Sequence, residues 1–145
     1  MIIRPAGLLL QQQRLLTMRY RYGSHDRFNL PGGNLEAEET LPAGLEREFR
    51  EELGIQVAVG DLLFCAETFA AGRHTIHLLF PVTLLQGRPA LVPAATRASE
   101  LVWIPLAQLA EAPLYPNLGP ALAAALQGNP PGVRYLGQLQ QEWFA

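Results

Sequence analysis

The sequence predicts an α/β fold in which helices cover both faces of a mixed β-sheet. Three features indicate this fold: extended segments open the chain, one strong helix follows at Leu41–Leu53, and a second helix comes late, after several more extended segments. Strands on both sides of a central helix are typical of a mixed sheet covered on both faces. The 145 residues lie within the usual range for one domain. We therefore expect residues 1–145 to form a single domain.

The first two extended segments are predicted to form a hairpin. They run over Ile2–Leu10 and Arg14–Tyr22, and the polar Gln11–Gln13 joins them. A polar loop at 23–27 then leads to the short segment Phe28–Leu30, and Pro31-Gly32-Gly33 turns the chain sharply.

The helix at Leu41–Leu53 has clear start and stop signals. Thr40 is a suitable N-cap, Pro42 is tolerated in the first turn, and Gly54 stands where a left-handed residue ends many helices. Beyond it we expect strands at Ile55–Val59, Leu62–Ala70, His74–Leu85 and Glu100–Ile104. A last helix is expected to begin at Asn117, with Pro120 in its first turn, and to end at Gly128.

The composition excludes several classes of protein. Residues are 49% hydrophobic and 17% charged, which excludes a disordered chain. A net charge of −2 provides no basic field for duplex nucleic acid or an anionic membrane. A single cysteine, Cys65, excludes an internal disulfide, and the absence of lysine excludes a lysine nucleophile. These features predict a soluble cytoplasmic protein without a membrane segment.

The acidic residues are concentrated in and just before the helix. Seven of the thirteen acids lie within residues 36–52. At about 100° per residue, Glu48, Glu51 and Glu52 share an arc of about 100°, beside an apolar stripe that can pack on a sheet. Like charges this close repel, and a hard divalent cation such as Mg²⁺ or Mn²⁺ would remove the repulsion. An ordinary solvated face of glutamates is the alternative interpretation of the same pattern.

The spacing of these residues favours the cation. From Gly33 the chain fits G-x5-E-x7-R-E-U-x-E-E-x-G-U, where U is bulky and apolar, with every specified position filled. A chance match in 145 positions is on the order of 10⁻⁸. This pattern is the signature of the Nudix hydrolases, and the sequence resembles that family over roughly residues 2–127. The preceding Phe28–Gly33 is similar to the segment that leads into the family's box.

The resemblance implies a Nudix-type α/β/α sandwich around a mixed sheet. It also implies Mg²⁺-dependent hydrolysis, with Mn²⁺ as a substitute, of a nucleoside diphosphate linked to another moiety. By position, the metal ligands are expected to be Glu48, Glu51, Glu52 and the carbonyl of Gly32. Catalytic roles are expected for Glu48 or Glu52 as the base that accepts a proton from water, for Arg47 in orienting the carboxylates, and for Glu39 as an accessory acid. A further acid outside the box is expected at Glu67 or Glu100.

Residues before the box are weaker candidates for substrate binding. Arg19 and Arg21 alternate with tyrosines, so a guanidinium could contact phosphates while Tyr22 stacks on a base. Glu100 is a further candidate at the site. The other interpretation is a strand with its arginines in water.

Two other functions compete with the hydrolase. A nucleotide-sensing domain without activity could use the same fold, although its carboxylates would then be dispensable. An RNA 5′-end pyrophosphohydrolase would need a local basic strip, around Arg19, Arg21 and Arg27.

The apolar tail at 133–145 carries Tyr135, Trp143 and Phe144. These side chains must pack on their own subunit or on a partner, and we expect a homodimer.

Overall fold

The computed structural model describes residues 1–126, 128 and 133–140. In that part of the chain there are nine strands, two α-helices and a 3₁₀ helix at Leu106–Glu111. The strands are β1 (Ile2–Gln11), β2 (Arg14–Tyr22), β3 (His25–Asn29), β4 (Gln56–Val59), β5 (Phe64–Ala70), β6 (Arg73–Gln86), β7 (Glu100–Pro105), β8 (Leu114–Tyr115) and β9 (Arg134–Gln138). The helices are α1 (Leu41–Leu53) and α2 (Gly119–Leu126).

The strands form one curled mixed sheet with two wings. One wing contains β9, β5, β6 and β1, with β4 also on β6, and the other contains β2, β3, β7 and β8. The wings join where β1 pairs with β2 at the hairpin tip, through Leu10–Leu15 and Gln11–Arg14. β1 runs parallel to β6, with Arg4 beside His77. A cleft therefore opens between the wings away from the hairpin.

One face of the sheet is covered by α1. Leu45, Phe49 and Leu53 are fully buried against apolar residues of β1, β2, β4 and β6. The Thr40 hydroxyl accepts a hydrogen bond from Ala43 N at 3.2 Å, and Gly54 ends the helix at φ +65°. The predicted bounds of this helix and both of its caps are confirmed.

A close approach between sheet and helix depends on Gly7 of β1. A Cβ at this position would lie 2.5–2.6 Å from the ring of Phe49. Because such an overlap is not tolerated, glycine at this position lets the helix pack directly on β1.

The opposite face is covered by α2 and the 3₁₀ helix. Leu109, Leu118 and Leu122 are buried there against β1, β5, β6 and β7. The α/β/α arrangement predicted from the sequence is thereby confirmed.

Several boundaries in the described part differ from the predicted ones. β3 begins at His25, because the expected loop at 23–27 is a tight turn around Gly23 followed at once by strand pairing with β2. α2 begins at Gly119, later than the expected Asn117. The 3₁₀ helix, β8 and β9 carried no clear sequence signal, since each is short.

Part of the apolar tail packs on its own subunit. β9 pairs in parallel with β5, and Leu136 and Leu139 pack against the core beneath α2. Trp143 and Phe144, which the sequence analysis included in this tail, lie outside the described residues. Within those residues, no helix has the length and apolar character needed to span a membrane.

Candidate active site

The face of α1 that carries the carboxylates turns toward the loop at Pro31–Asn34. Glu52 is 8% exposed and Glu48 is 14% exposed by side chain, whereas the Glu51 side chain is half exposed. The helix therefore presents two of the predicted ligands in a sheltered position and the third at its edge.

Glu48 and Glu52 form a hydrogen-bonded pair. Burial is the main cause that raises the pKa of Glu52 to about 8, and its hydrogen bond to Glu48 raises it further. The Glu52 carboxyl therefore holds a proton at neutral pH and donates it to Glu48. A divalent cation that bound both carboxylates would have to displace this proton.

Arg47 holds the remaining acids. Its Nε donates to Glu39 Oε2 at 2.7 Å, and its Nη1 donates to Glu48 Oε1 at 3.0 Å and to Glu51 Oε2 at 3.1 Å. These hydrogen bonds raise the pKa of Arg47 and lower that of Glu39. The orienting role that the resemblance implied for Arg47 stays a prediction, for which these hydrogen bonds provide a suitable geometry.

The glycines before the helix allow the close contact between the loop and the carboxylates. A Cβ at Gly33 would overlap the carboxylate of Glu48, and a Cβ at Gly32 would overlap the backbone of Pro5. Gly33 N donates to Pro5 O at 3.3 Å, which fixes the loop on β1. The backbone of this loop is thus placed against the predicted metal ligands.

The carboxylate pair fits a hard divalent cation. Glu48 and Glu52 supply the oxygen ligands that Mg²⁺ and Mn²⁺ prefer, and a cradle of glycine backbone faces them. Among the described residues, no three acidic, cysteine or histidine side chains converge as a ready-made metal cluster. The physical reason is Arg47, which draws Glu51 and one oxygen of Glu48 toward its own charge.

Thr96 links this pair to the loop before β7. Its hydroxyl donates to Glu52, and this bond partly offsets the raised pKa of Glu52. The same oxygen accepts a hydrogen bond from Ala98 N at 3.2 Å and lies 3.0 Å from the Tyr20 hydroxyl. Neither residue was singled out for this role from the sequence, since a lone threonine in a loop carries no pattern.

A pocket of about 380 Å³ lies in the cleft between the two wings. Strands β1, β5 and β6 supply Arg4, Thr68 and His77 to one wall, and Tyr22 and Tyr115 stand on the other, with ring centroids 5.5 Å apart. The volume suits a small organic ligand, and the aromatic rings suit a planar one.

The floor of this pocket is polar. His77 is buried, and its Nε2 lies 2.8 Å from the Thr68 hydroxyl. Burial and, to a lesser degree, the charge of Arg4 lower the pKa of His77 to about 4, so its ring is neutral. His77 Nδ1 and Asn29 Oδ1 are buried without a hydrogen-bond partner in the described structure.

The candidate substrate residues from the sequence are divided by the structure. Tyr22 lines the pocket. Arg19 instead pairs with Glu100 at 3.0 Å, and Arg21 pairs with Asp26 at 3.0 Å. Neither arginine lines the pocket, and an acid already neutralises each guanidinium group. Glu100 is exposed at the surface beside Arg19.

Glu67, the other candidate for an extra acid, belongs to a separate group. It accepts hydrogen bonds from the Tyr135 hydroxyl and from His74 Nε2, the latter at 2.7 Å. These bonds lower its pKa. Neither Glu67 nor Glu100 is brought to the Glu48–Glu52 pair. The pocket residues that sequence analysis missed include Arg4, Asn29 and His77. Of these three, Asn29 alone had a signal, because it stands in the segment leading into the box.

The comparisons with known proteins agree with this architecture. The family model described as NUDIX domain matches residues 1–125. The chain belongs to the Nudix family. A Mycobacterium tuberculosis (strain ATCC 25618 / H37Rv) protein named "Putative 8-oxo-dGTP diphosphatase 2" is 38% identical over 86 residues. The matched region is 57% of this Nudix chain and 57% of that relative, so the match spans little more than half of either protein.

Solved structures show the same fold. The E. coli ORF135 protein superposes with a TM-score of 0.75 at 25% identity, over 90% of this chain and 93% of that one. The MutT protein from Methanosarcina mazei Go1 gives a TM-score of 0.73 at 21% identity, over 88% and 96% of the two chains. The family and the Nudix-type fold predicted from the box are confirmed.

Proposed function

We propose that this Nudix domain hydrolyses the pyrophosphate bond of a nucleoside diphosphate linked to another moiety, with Mg²⁺ or Mn²⁺ as its cofactor. One observation carries the proposal: a sheltered Glu48–Glu52 pair stands beside the pocket that holds Arg4 and two tyrosines. Arg4 lines the pocket and feels the charge of both carboxylates, which supports a site that extends from the pocket to the acids. A cytoplasmic location, where nucleotides are plentiful, suits this activity.

The residues divide the work of the reaction. Glu48 and Glu52, once ionised, would hold the cation together with Glu51 and the Gly32 carbonyl. When bound, a divalent cation supplies charge that offsets the phosphates and lowers the pKa of a coordinated water. One of the two glutamates accepts a proton from the attacking water; the water oxygen bonds to one phosphorus, and the bridging oxygen leaves with the other phosphoryl group. Arg47 keeps the glutamates oriented, and Glu39 keeps Arg47 in place.

Two other functions make different demands on the site. A nucleotide-sensing domain would bind nucleotides without releasing phosphate. An RNA-end pyrophosphohydrolase would need free basic charge beside the pocket. The Arg19–Glu100 and Arg21–Asp26 pairs consume most of that charge, which favours small nucleotides.

A nucleotide panel tests the proposal. Nucleoside triphosphates, including 8-oxo-dGTP because of the similar mycobacterial protein, and nucleoside diphosphate sugars are incubated with Mg²⁺ or Mn²⁺, and products are identified by mass. We expect hydrolysis that stops when the cation is chelated. Glu46, an exposed acid on the same helix, gives the matched control Glu46→Gln. Tight nucleotide binding without turnover would instead identify a sensing domain.

A further inference from the structure

Arg4 is a cation without a partner at the floor of the pocket. Within the described residues, its guanidinium forms no hydrogen bond or ion pair, and it feels Glu52 and Glu48 only through their longer-range charge. Burial lowers its pKa, although an arginine remains protonated in proteins. A partly buried guanidinium without acceptors is costly, so this one is set up to receive a ligand.

The neighbours of Arg4 can adapt to a ligand, whereas Arg4 cannot. The neutral His77 ring presents Nδ1 as either donor or acceptor, depending on which nitrogen carries its proton. Asn29 has both an acceptor and a donor in one carboxamide. A guanidinium has five N–H donors and no acceptor. Arg4 therefore decides which ligand atoms are accepted at the floor.

The rest of the pocket identifies the kind of ligand. Tyr22 and Tyr115 flank it with tilted rings, an arrangement that suits a flat ring more than a phosphate group. The phosphates are expected at the Glu48–Glu52 pair, where a cation would hold them. A flat, nitrogen-rich ring attached to phosphates is a nucleobase.

We propose that Arg4 is a specificity-determining residue that selects nucleotides whose base presents a carbonyl oxygen to the pocket floor. A carbonyl accepts a hydrogen bond from the guanidinium, whereas an exocyclic amino group would place donor against donor. The preferred bases are therefore oxo bases such as guanine, hypoxanthine and uracil. This inference deepens the proposed function and rests on it for the position of the phosphates.

Two pairs of ligands isolate the effect of the carbonyl. Inosine monophosphate has a carbonyl at C6 and a protonated N1, whereas adenosine monophosphate has an amino group at C6 and an unprotonated N1. Uridine and cytidine monophosphates differ in the same way at C4 and N3. Binding of all four is measured by calorimetry with Mg²⁺ present, and no turnover occurs because a monophosphate has no pyrophosphate bond to hydrolyse. We expect the oxo member to bind at least about tenfold more tightly in the pair that the pocket admits.

Variants show whether Arg4 is the cause. Arg4→Gln provides an acceptor as well as a donor, so the preference should fall to within about twofold. Arg4→Lys keeps a charged donor and should retain the preference for the oxo member. Arg88→Gln is the matched control, because Arg88 is an exposed arginine that does not line this pocket and its loss should leave the ratio unchanged.

The outcomes separate this inference from the proposed function. Three results with the wild-type protein would overturn the role of Arg4, whether or not the variants fold. These are equal binding within both pairs, tighter binding of the amino members, and no binding of any of the four ligands. An unchanged ratio in a folded Arg4→Gln does the same. Failure of the nucleotide panel to show turnover, together with a clear oxo preference in binding, would instead overturn the hydrolase and keep the pocket.

Discussion

Arg47 Nε donates to Glu39 Oε2 at 2.7 Å, and both side chains are only 14% exposed. This bond connects the loop before α1 to the helix face that carries the carboxylates. Arg47 also donates to Glu48 and Glu51 and lies 3.5 Å from Glu36, so four acids depend on one planar guanidinium.

Replacing Arg47 by lysine therefore tests geometry separately from charge. Arg47→Lys keeps the cation but cannot fork to several carboxylates, so we expect kcat to fall about 10- to 100-fold and stability to fall by about 1–3 kcal/mol. Turnover assays and denaturant unfolding measure the two effects. Arg50→Lys, on the exposed side of the same helix, should change neither by much, and equal behaviour of the two variants would contradict this role.

Glu52→Gln should abolish most activity without unfolding the protein. It removes a ligand charge while keeping the size and a hydrogen-bond donor toward Glu48, so turnover should fall by several orders of magnitude. Thermal stability without metal should hold or rise slightly, because a neutral amide costs less to bury than a carboxyl that can ionise. Activity within a few-fold of the wild type at saturating Mg²⁺ would refute the metal assignment.

Stability without metal should decrease as the pH rises. The pKa of Glu52 is about 8 in the folded chain and near its ordinary 4.5 when unfolded, so between these pH values the folded state binds more protons. The free energy of unfolding must then fall with rising pH across that interval and level off above it. Saturating Mg²⁺ should flatten the dependence, because the cation binds the ionised form. Denaturant melts at several pH values, with and without Mg²⁺ and with Glu52→Gln as control, measure this.

Removing the Thr96 hydroxyl should weaken metal binding. Thr96→Val loses the donor to Glu52 at nearly constant volume, and we expect Mn²⁺ affinity to fall about tenfold. Thr96→Ser restores the donor and should recover most of the affinity. Calorimetric Mn²⁺ titrations compare the three proteins, and a Thr96→Val affinity equal to that of the wild type would exclude the positioning role.

The tail provides a test of assembly. Phe69 and Tyr135 are 50% and 64% exposed at the β5–β9 edge, which suits pairing with a second copy. We expect the full chain to have the mass of a dimer by light scattering, and deletion of 133–145 to lower both this mass and the melting temperature. A monomeric full chain, destabilised by the deletion, would mean that β9 serves its own subunit alone.

Local signals predicted the first half of the fold well. The α1 bounds follow from Thr40 and Gly54, and the hairpin follows from the polar glutamines between two apolar runs, because these signals act over a few residues. β9 could not be predicted, since its pairing with β5 joins residues about 70 apart.

The candidate site divides in the same way. The carboxylates lie on one helix, so spacing alone places Glu48 beside Glu52. Arg4 and His77 meet because β1 and β6 pair in parallel, a tertiary contact between residues that show no pattern individually. Phosphate binding by Arg19 and Arg21 was a possible interpretation because the sequence does not show which strands pair. In the structure, Asp26 pairs opposite Arg21 and Glu100 opposite Arg19 on the neighbouring strands.

Gly7 has a consequence for how this protein can vary. Gly7 lies on the sheet beneath the ring of Phe49, which follows Glu48 in α1. A single methyl group at Gly7 would push α1 away from β1. Glu48 and Glu52 would move with the helix, while Gly33 and Arg4, which are anchored on or near β1, would stay behind. A substitution at Gly7 would therefore change the candidate active site without touching it. Which residues can replace Gly7 depends on keeping the carboxylates in position as much as on packing the core.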